Sequence, residues 1–293
     1  MNQLTIFLQQ VASGVSTGVI YGSIALALVV IYQATHKINF AQGEMAMFST
    51  YIAWAMIQSG FPYWLAFAAT VAGAFVLGAL VERLIIRPLR DTPVLGVVIV
   101  FIGLLLIFNS MAGAIFGHMM KQFPSPFEGR LGWAAPYLNG HQLGAVFVCL
   151  AVLMLIYGFF GFTRFGLAMR AAAFSPQSSL LCGIPVPLML TLGWGGASAI
   201  GAVAGMMVAP VVFLDPNMMS GILLYAFAGA LLGGLNNPWG AVLGGVLMGV
   251  IENILGAYVI GTELKMTVAL ALILFVLMFR PQGLLGRKLV VRV

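Results

Sequence analysis

The sequence predicts an all-α, polytopic membrane bundle of about 8–10 membrane segments, and three observations carry that reading. Of its 293 residues, 62% are hydrophobic and only 7% are charged. A soluble chain is about one quarter charged, so these charges cannot cover a globular surface and most of that surface must face lipid. Apolar runs of about 20 residues, the length that crosses a hydrocarbon core of about 30 Å, recur along nearly the whole chain. They are continuous, as from Pro93 to Phe108, rather than alternating, which argues against the strands of a barrel.

Taken in order, the spans fall at 11–32, 40–58, 63–82, 94–116, 143–162, 188–211, 219–235, 239–260 and 266–280, within a single transmembrane domain covering 1–293. The first span is long and ends at Ile31-Tyr32 with no small-residue cleavage pattern, so it is expected to remain as a helix. Ten of the thirteen Lys and Arg residues fall on one side of these spans: Lys37, Arg83, Arg87, Arg90, Arg164, Arg170, Arg280, Arg287, Lys288 and Arg292. Lys121, Arg130 and Lys265 fall on the other. Basic residues collect on cytoplasmic loops, so the amino terminus is expected outside and the carboxyl terminus in the cytoplasm. The short seventh and eighth segments, joined by Gly234-Leu235-Asn236-Asn237-Pro238, can both be re-entrant without changing that parity, so seven or nine crossings fit.

The two largest loops differ in kind. The outer one, 117–142, holds Pro124, Pro126, Pro136 and mixed charge, the composition of an irregular connection. The inner one, 163–187, reads as a short capped helix. Gly166 to Phe174 is Ala-rich, Ser175 suits an N-cap, Pro176 the first helical position and Gly183 the C-terminal cap.

Gly14, Gly18 and Gly22 are spaced by four, as are Gly201 and Gly205, Gly229 and Gly233, Gly240 and Gly244, and Gly245 and Gly249. Such faces let helix backbones approach closely, and packing within one subunit is the expected use. A short echo links Gly14 to Ile20 with Gly245 to Ile251.

Charge at membrane depth is expensive and marks a candidate site. Glu44, in Asn39-Phe40-Ala41-Gln42-Gly43-Glu44, and Glu252, beside Asn253, stand out. Each either lines a path or pins helices together, and the second use is favoured. Glu82 and Asp215 read as charges at loop edges. Cys149 and Cys182 have no CxxC spacing and read as packing residues, with no disulfide framework and no metal site. No nucleophile elbow, no HExxH and no P-loop is present. Catalysis, a cofactor and a nucleic-acid partner are therefore not expected, and any ATP-derived energy has to come from a partner.

Several motifs occur in one order: Gly18 to Gly22, Ile38 to Glu44, Arg87-Pro88-Leu89-Arg90, Thr163 to Ala171, Gly233-Gly234-Leu235 with Pro238 to Ala241, and Arg280 to Gly286. Carrying these, the chain resembles the permease subunits of bacterial branched-chain amino acid ABC importers over essentially its full length. The pattern is that of the shorter of the two permease types. Ser178-Ser179 and Leu181-Cys182 depart from the usual residues of that family.

The resemblance implies an ABC-importer permease fold in the bacterial inner membrane. Its implied partners are a second related permease, two cytoplasmic ATPases and a periplasmic solute-binding protein. It also implies that 163–184 is the segment that docks on the ATPase, with Arg164, Gly166, Arg170, Ala171, Ser175, Pro176 and Gly183 in the coupling region. Asn39, Gln42, Glu44, Glu252 and Asn253 are the polar candidates for the pathway or for pinning helices. The implied cargo is a branched-chain amino acid. Urea, short amides or other small solutes, and a sugar or nucleoside permease, are alternatives, as is a stand-alone channel or secondary carrier.

Overall fold

The computed structural model describes residues 3–35, 37–89, 92–127, 138–259, 261, 264–280 and 282–286. Arg90 and Pro281 of the motifs, the charges Arg130, Arg287, Lys288 and Arg292, and the middle of the 117–142 loop lie outside the described residues. Eleven α-helices occur among the described residues: α1 (Gln3–Thr35), α2 (Gln42–Gln58), α3 (Tyr63–Val81), α4 (Val94–Phe116), α5 (Gly140–Phe162), α6 (Arg164–Phe174), α7 (Pro176–Leu181), α8 (Val186–Val212), α9 (Met218–Gly233), α10 (Pro238–Tyr258) and α11 (Lys265–Phe279). The fold is all-α, as the continuous apolar runs require.

Each expected span coincides with a helix. Among the described residues, six helical stretches are long and apolar enough to cross a membrane: Gln3–Thr35, Tyr63–Leu89, Leu95–Phe116, Gly140–Phe162, Val186–Val212 and Pro238–Tyr258. The remaining three spans correspond to α2, α9 and α11, of 17, 16 and 15 residues. The seventh segment is therefore short, as read, but the eighth is not, because α10 runs for 21 residues. The long helices divide by burial. In their most apolar stretch α1 is 89% buried and α5 only 22%, so α5 leaves most of its surface uncovered and α1 very little.

The chain forms two compact units: Met1–Val29 with Ser125–Val148 and Gly221–Val293, and Val30–Pro124 with Cys149–Ser220. In the first, α1 lies against α10 at backbone distance. A Cβ built on Gly18 would sit 2.6 Å from the Val246 carbonyl oxygen, and one on Gly14 2.8 Å from the Val250 Cα. The reciprocal positions, Gly245 and Gly249, face the backbones of Gly22 and Gly18. The two echoing heptapeptides thus pack on each other, and the four-residue glycine spacing is intrasubunit packing. On its other side α10 meets α9 through Gly229 against Gly245 and Gly233 against Gly240.

The carboxyl-terminal motif closes this unit. A helix leaves its last carbonyls without partners, and those of α9 are met by the Leu284 and Leu285 amides, at 2.7 Å to Leu232 O and 3.2 Å to Gly233 O. Gly234 (φ +107°) and Gly283 (φ +78°) adopt left-handed backbone where the two turns touch, so both positions need glycine.

In the second unit α8 packs against α2 and α3. Gly201 and Gly205 admit Gln42 and Thr50 of α2, and Gly78 of α3 rests on Trp194 and Ser198. Phe101 of α4 stacks on Trp194 at 5.9 Å. Cys149 is buried as expected, but Cys182 is exposed at the end of α7 and packs nothing, because the helix stops there.

Gly18→Leu would drive a side chain into the α10 backbone, and overpacking of this kind costs typically about 1–3 kcal/mol. A lower thermal midpoint in detergent and reduced yield are expected. Gly73→Ala, whose Cβ meets nothing within 4 Å, should behave as wild type. An unchanged midpoint for Gly18→Leu would refute the α1–α10 contact.

Candidate functional site

The inner segment folds as two helices rather than the one expected. Thr163, in extended backbone, accepts a hydrogen bond from the Gly166 amide at 2.9 Å and so caps α6. Gly166 is small because the Phe159 carbonyl and Phe160 backbone lie against it. The signal for this cap, a Thr directly before the helical run Arg164–Phe174, is present in the sequence. Ser175 caps α7, its Oγ accepting from the Ser178 amide at 3.4 Å and donating to the Ser178 hydroxyl at 2.8 Å, with Pro176 at the first turn.

The far end of α7 is closed as firmly. The Ile184 amide donates to Ser179 O at 2.9 Å and the Gly183 amide to Leu180 O at 3.0 Å, with Gly183 at φ +77°. That pairing is a Schellman cap, for which glycine is the favoured residue.

A small apolar cluster anchors the pair. Met169 and Ala172 of α6 bury against Val186, Met189 and Leu190 of α8. Arg164 and Arg170 are exposed, and Ala171 is half-buried, its carbonyl accepting the Ser175 amide at 3.0 Å. Phe174 and Leu181 are 88% and 90% exposed. Both are large apolar groups, one at the end of each helix.

Next to α8 stands a polar lock that the sequence did not announce. Beyond α3 the chain continues through a π-helical turn, Glu82–Ile86, and a 3-10 turn, Arg87–Leu89. Glu82 is buried, contrary to its reading as a loop-edge charge. Its carboxylate meets the Arg87 guanidinium at 2.8 Å and accepts from the Thr191 hydroxyl at 2.7 Å, while Arg87 also donates to Pro187 O at 3.1 Å. The wider turn lets Arg87, five residues on, reach back to Glu82. This lock ties the end of α3 to the first turn of α8, the helix on which α6 rests.

The polar candidates separate into two groups. In the second unit Asn39 Oδ1 accepts the Ala41 amide at 3.0 Å and its Nδ2 reaches Gln42 Oε1 at 3.4 Å. Gln42 in turn donates to Ala197 O at 2.9 Å, joining α2 to α8. Glu44, 4% exposed, accepts from Asn109 of α4 at 3.4 Å, and Asn109 also donates to Pro216 O at 2.8 Å. In the first unit Glu252 accepts from the Tyr21 hydroxyl at 2.9 Å and faces the Lys265 ammonium at 3.6 Å. Asn253 bonds Thr17 at 3.3 Å and Lys265 at 3.5 Å. Each carboxylate therefore bridges helices. Asp215 stays at a loop edge, its carboxylate accepting the Asn217 amide at 2.6 Å.

The family described as branched-chain amino acid transport system / permease component matches residues 10–277. The high-affinity branched-chain amino acid transport system permease protein LivH of Escherichia coli is 31% identical, over 99% of this chain and 99% of that protein. BraD of Pseudomonas aeruginosa, named in the same terms, is 31% identical over 100% of both. A probable branched-chain amino acid transport permease protein from Methanocaldococcus jannaschii is 26% identical over 90% of this chain and 87% of its own. Among solved structures, PsaBC from Streptococcus pneumoniae in complex with Fab aligns with a TM-score of 0.50 at 13% identity, over 92% of this chain and 91% of that one, a likeness of fold alone.

The Glu252 cluster makes a test of pairing. Lys265→Met removes the cation and leaves a buried carboxylate, and breaking a buried pair is strongly destabilising, up to about 3–5 kcal/mol. Lys265 is partly exposed, so a smaller loss is expected. The double variant Lys265→Met with Glu252→Gln, which keeps an acceptor for Tyr21, should recover much of it. Additive losses in a double-mutant cycle of unfolding free energies would show that the two side chains do not interact.

Proposed function

Because the chain belongs to the family of branched-chain amino acid transport permease components, we propose that it forms half of the translocation pathway of an ATP-driven importer of branched-chain amino acids. One observation carries the reading: a doubly capped helix pair, anchored on α8, that holds Phe174 and Leu181 bare. A connector between two spans needs only a few residues. Here the chain builds two helices, fixes three of their ends with side-chain or glycine caps, and leaves apolar tips uncovered.

A rigid lever has a task when something pushes on it. The chain carries no P-loop, so two cytoplasmic ATPase subunits supply hydrolysis and receive α6 and α7 in a cleft. Arg164 and Arg170, both exposed, add basic groups to that face. Gly166 sets the angle of α6, and Ser175, Pro176 and Gly183 hold α7 as a unit. Closure of the ATPases then moves α6, and α8 with it.

The remaining assignments follow from the same reading. Lys and Arg place α6 and α7 in the cytoplasm and the amino terminus outside, in the inner membrane of a bacterium. A second related permease completes the path, and a periplasmic solute-binding protein delivers the amino acid. Residues 1–293 act as one permease domain. Glu44 and Glu252, each bonded between helices, serve to hold the bundle, with Asn39, Gln42 and Asn253 as their polar neighbours. A path bearing few uncompensated charges suits a small solute with an aliphatic side chain.

Phe174→Asp combined with Leu181→Asp is expected to lower ATP-dependent leucine uptake by about tenfold or more, since charge at the centre of an apolar contact is strongly disfavoured. Membrane insertion should be unaffected and ATPase activity should persist. Uptake by proteoliposomes of the co-purified complex, measured beside hydrolysis, makes the check. Normal uptake in that variant would refute the docking role, and uptake that survives removal of the ATPase would refute an ATP-driven importer.

A further inference from the structure

The motif that begins at Arg87 has no part in the docking of α6 and α7, yet its first residue closes the π-helical turn in two ways. The Arg87 amide donates to Glu82 O, the bond across five residues that marks such a turn. Its guanidinium then returns to the Glu82 carboxylate at 2.8 Å. Wound as an α-helix, the same five residues would advance by about 500°, leaving Arg87 about 140° around the axis from Glu82. The ion pair and the wide turn therefore go together.

Beside this turn, within the second unit, lies a cavity of about 260 Å³. Glu82 and Ile86 line it from the turn, Val186 and Leu190 from α8, Pro176 from α7 and Lys37 from the segment before α2. Protein interiors are packed close to crystal density, so a change of winding needs space that a filled core does not offer. Here the space adjoins the residues that would move. The same cavity is bordered by a second cation. Lys37 is half-buried and forms no ion pair among the described residues. An ammonium drawn partly out of water recovers its lost solvation only from a counter-ion or a set of acceptors.

We propose that Lys37 is a positioning residue for transport, taking Glu82 over from Arg87 when the π-helical turn rewinds to α-helical geometry. In this structure Glu82 is engaged by Arg87 and Thr191, so each end state pairs the carboxylate with a cation. In the first state Arg87 ties the end of α3 to α8, donating to the Thr191 hydroxyl at 2.6 Å and to Pro187 O at 3.1 Å. In the second, Lys37 holds Glu82 across the cavity and Arg87 leaves α8. Pro176, the first residue of α7, forms part of the cavity wall, so the helix read as docking on the ATPase borders the space in which the cations exchange. The inference rests on reading the chain as the permease of an ATP-driven importer, and adds to it a two-state element.

The test uses the full-length protein with its co-purified partners in proteoliposomes. Lys37→Gln should lower the leucine taken up per ATP hydrolysed by about tenfold, within the usual range of coupling between sites. Its thermal midpoint should match wild type, because the ammonium has no ion pair to lose in this structure. Lys37→Arg, which keeps the cation, should restore the ratio. A second measurement needs no variant: amide hydrogen exchange over residues 82–87 is expected to differ between the nucleotide-free and the vanadate-trapped wild-type complex. An unchanged ratio in Lys37→Gln, a loss that Lys37→Arg does not restore, or identical exchange in the two nucleotide states would each overturn the proposal. Losses that multiply when Lys37→Gln is combined with Glu82→Gln would do the same, since partners that exchange on one carboxylate are not independent. All of these failures leave ATP-dependent uptake by the wild type in place, whereas wild-type uptake that needs no ATPase overturns the importer reading itself.

Discussion

A carboxylate taken out of water must find a partner, and much of this architecture follows from where three of them find theirs. Glu44, Glu82 and Glu252 are buried in a chain with very few charges. Hydrocarbon offers no alternative donors, so leaving any of them unpaired would be costly. Glu44 takes a donor from α4, Glu82 takes Arg87 and Thr191, and Glu252 takes Tyr21 and Lys265. In each case the partner is on another helix or beyond a turn, so satisfying the charge also fixes which elements touch. Hydrophobic burial alone does not set such a register, because lipid tails are as apolar as the side chains they would replace.

The glycines supply the other half of the specification. Between α1 and α10 the contact is backbone on backbone, and any side chain at Gly18 would meet the Val246 carbonyl. Close approach gains dispersion contacts without a hydrophobic driving force, which is why small residues dominate helix contacts in membranes. The second unit uses the same device differently. Gly201 leaves space for the Gln42 amide rather than for a backbone, and that amide reaches Ala197 O at 2.9 Å. A small residue here makes room for a hydrogen bond, so packing and polar satisfaction are set by one position.

The placement of the apolar spans was legible because a membrane segment writes its length directly into the sequence, and all nine spans have a helix. The caps of α7 were legible too, since Ser175, Pro176 and Gly183 carry strong local preferences. The Glu82 lock was not. A Glu next to Arg83 at the end of an apolar run looks like a solvated edge, and nothing local shows that a π-helical turn brings Arg87 back to it while Thr191, more than a hundred positions away, completes the set. The docking of Leu284 and Leu285 on the end of α9 escaped for the same reason. Its motif was visible, but the carbonyls it satisfies belong to another segment.

The form of α6 and α7 follows from a length problem. An isolated helix under about 12–15 residues is marginal in water, and α7 has six. It persists because the Ser175 cap answers its first amides, the Schellman pairing at Gly183 answers its last carbonyls, and Ser179 is buried beneath it. What remains outside is Leu181, with Phe174 at the end of the preceding helix. A segment stabilised at its ends rather than along its face keeps its shape while its surface stays free. In the proposed role that separation matters, because a contact that must transmit movement to α8 cannot depend on the partner for its own folding. The anchor at Met169 and Ala172 and the Glu82 lock at Thr191 meet α8 within its first turns. The helix end on which α6 rests is thus braced against the end of α3 by the same first turns of α8.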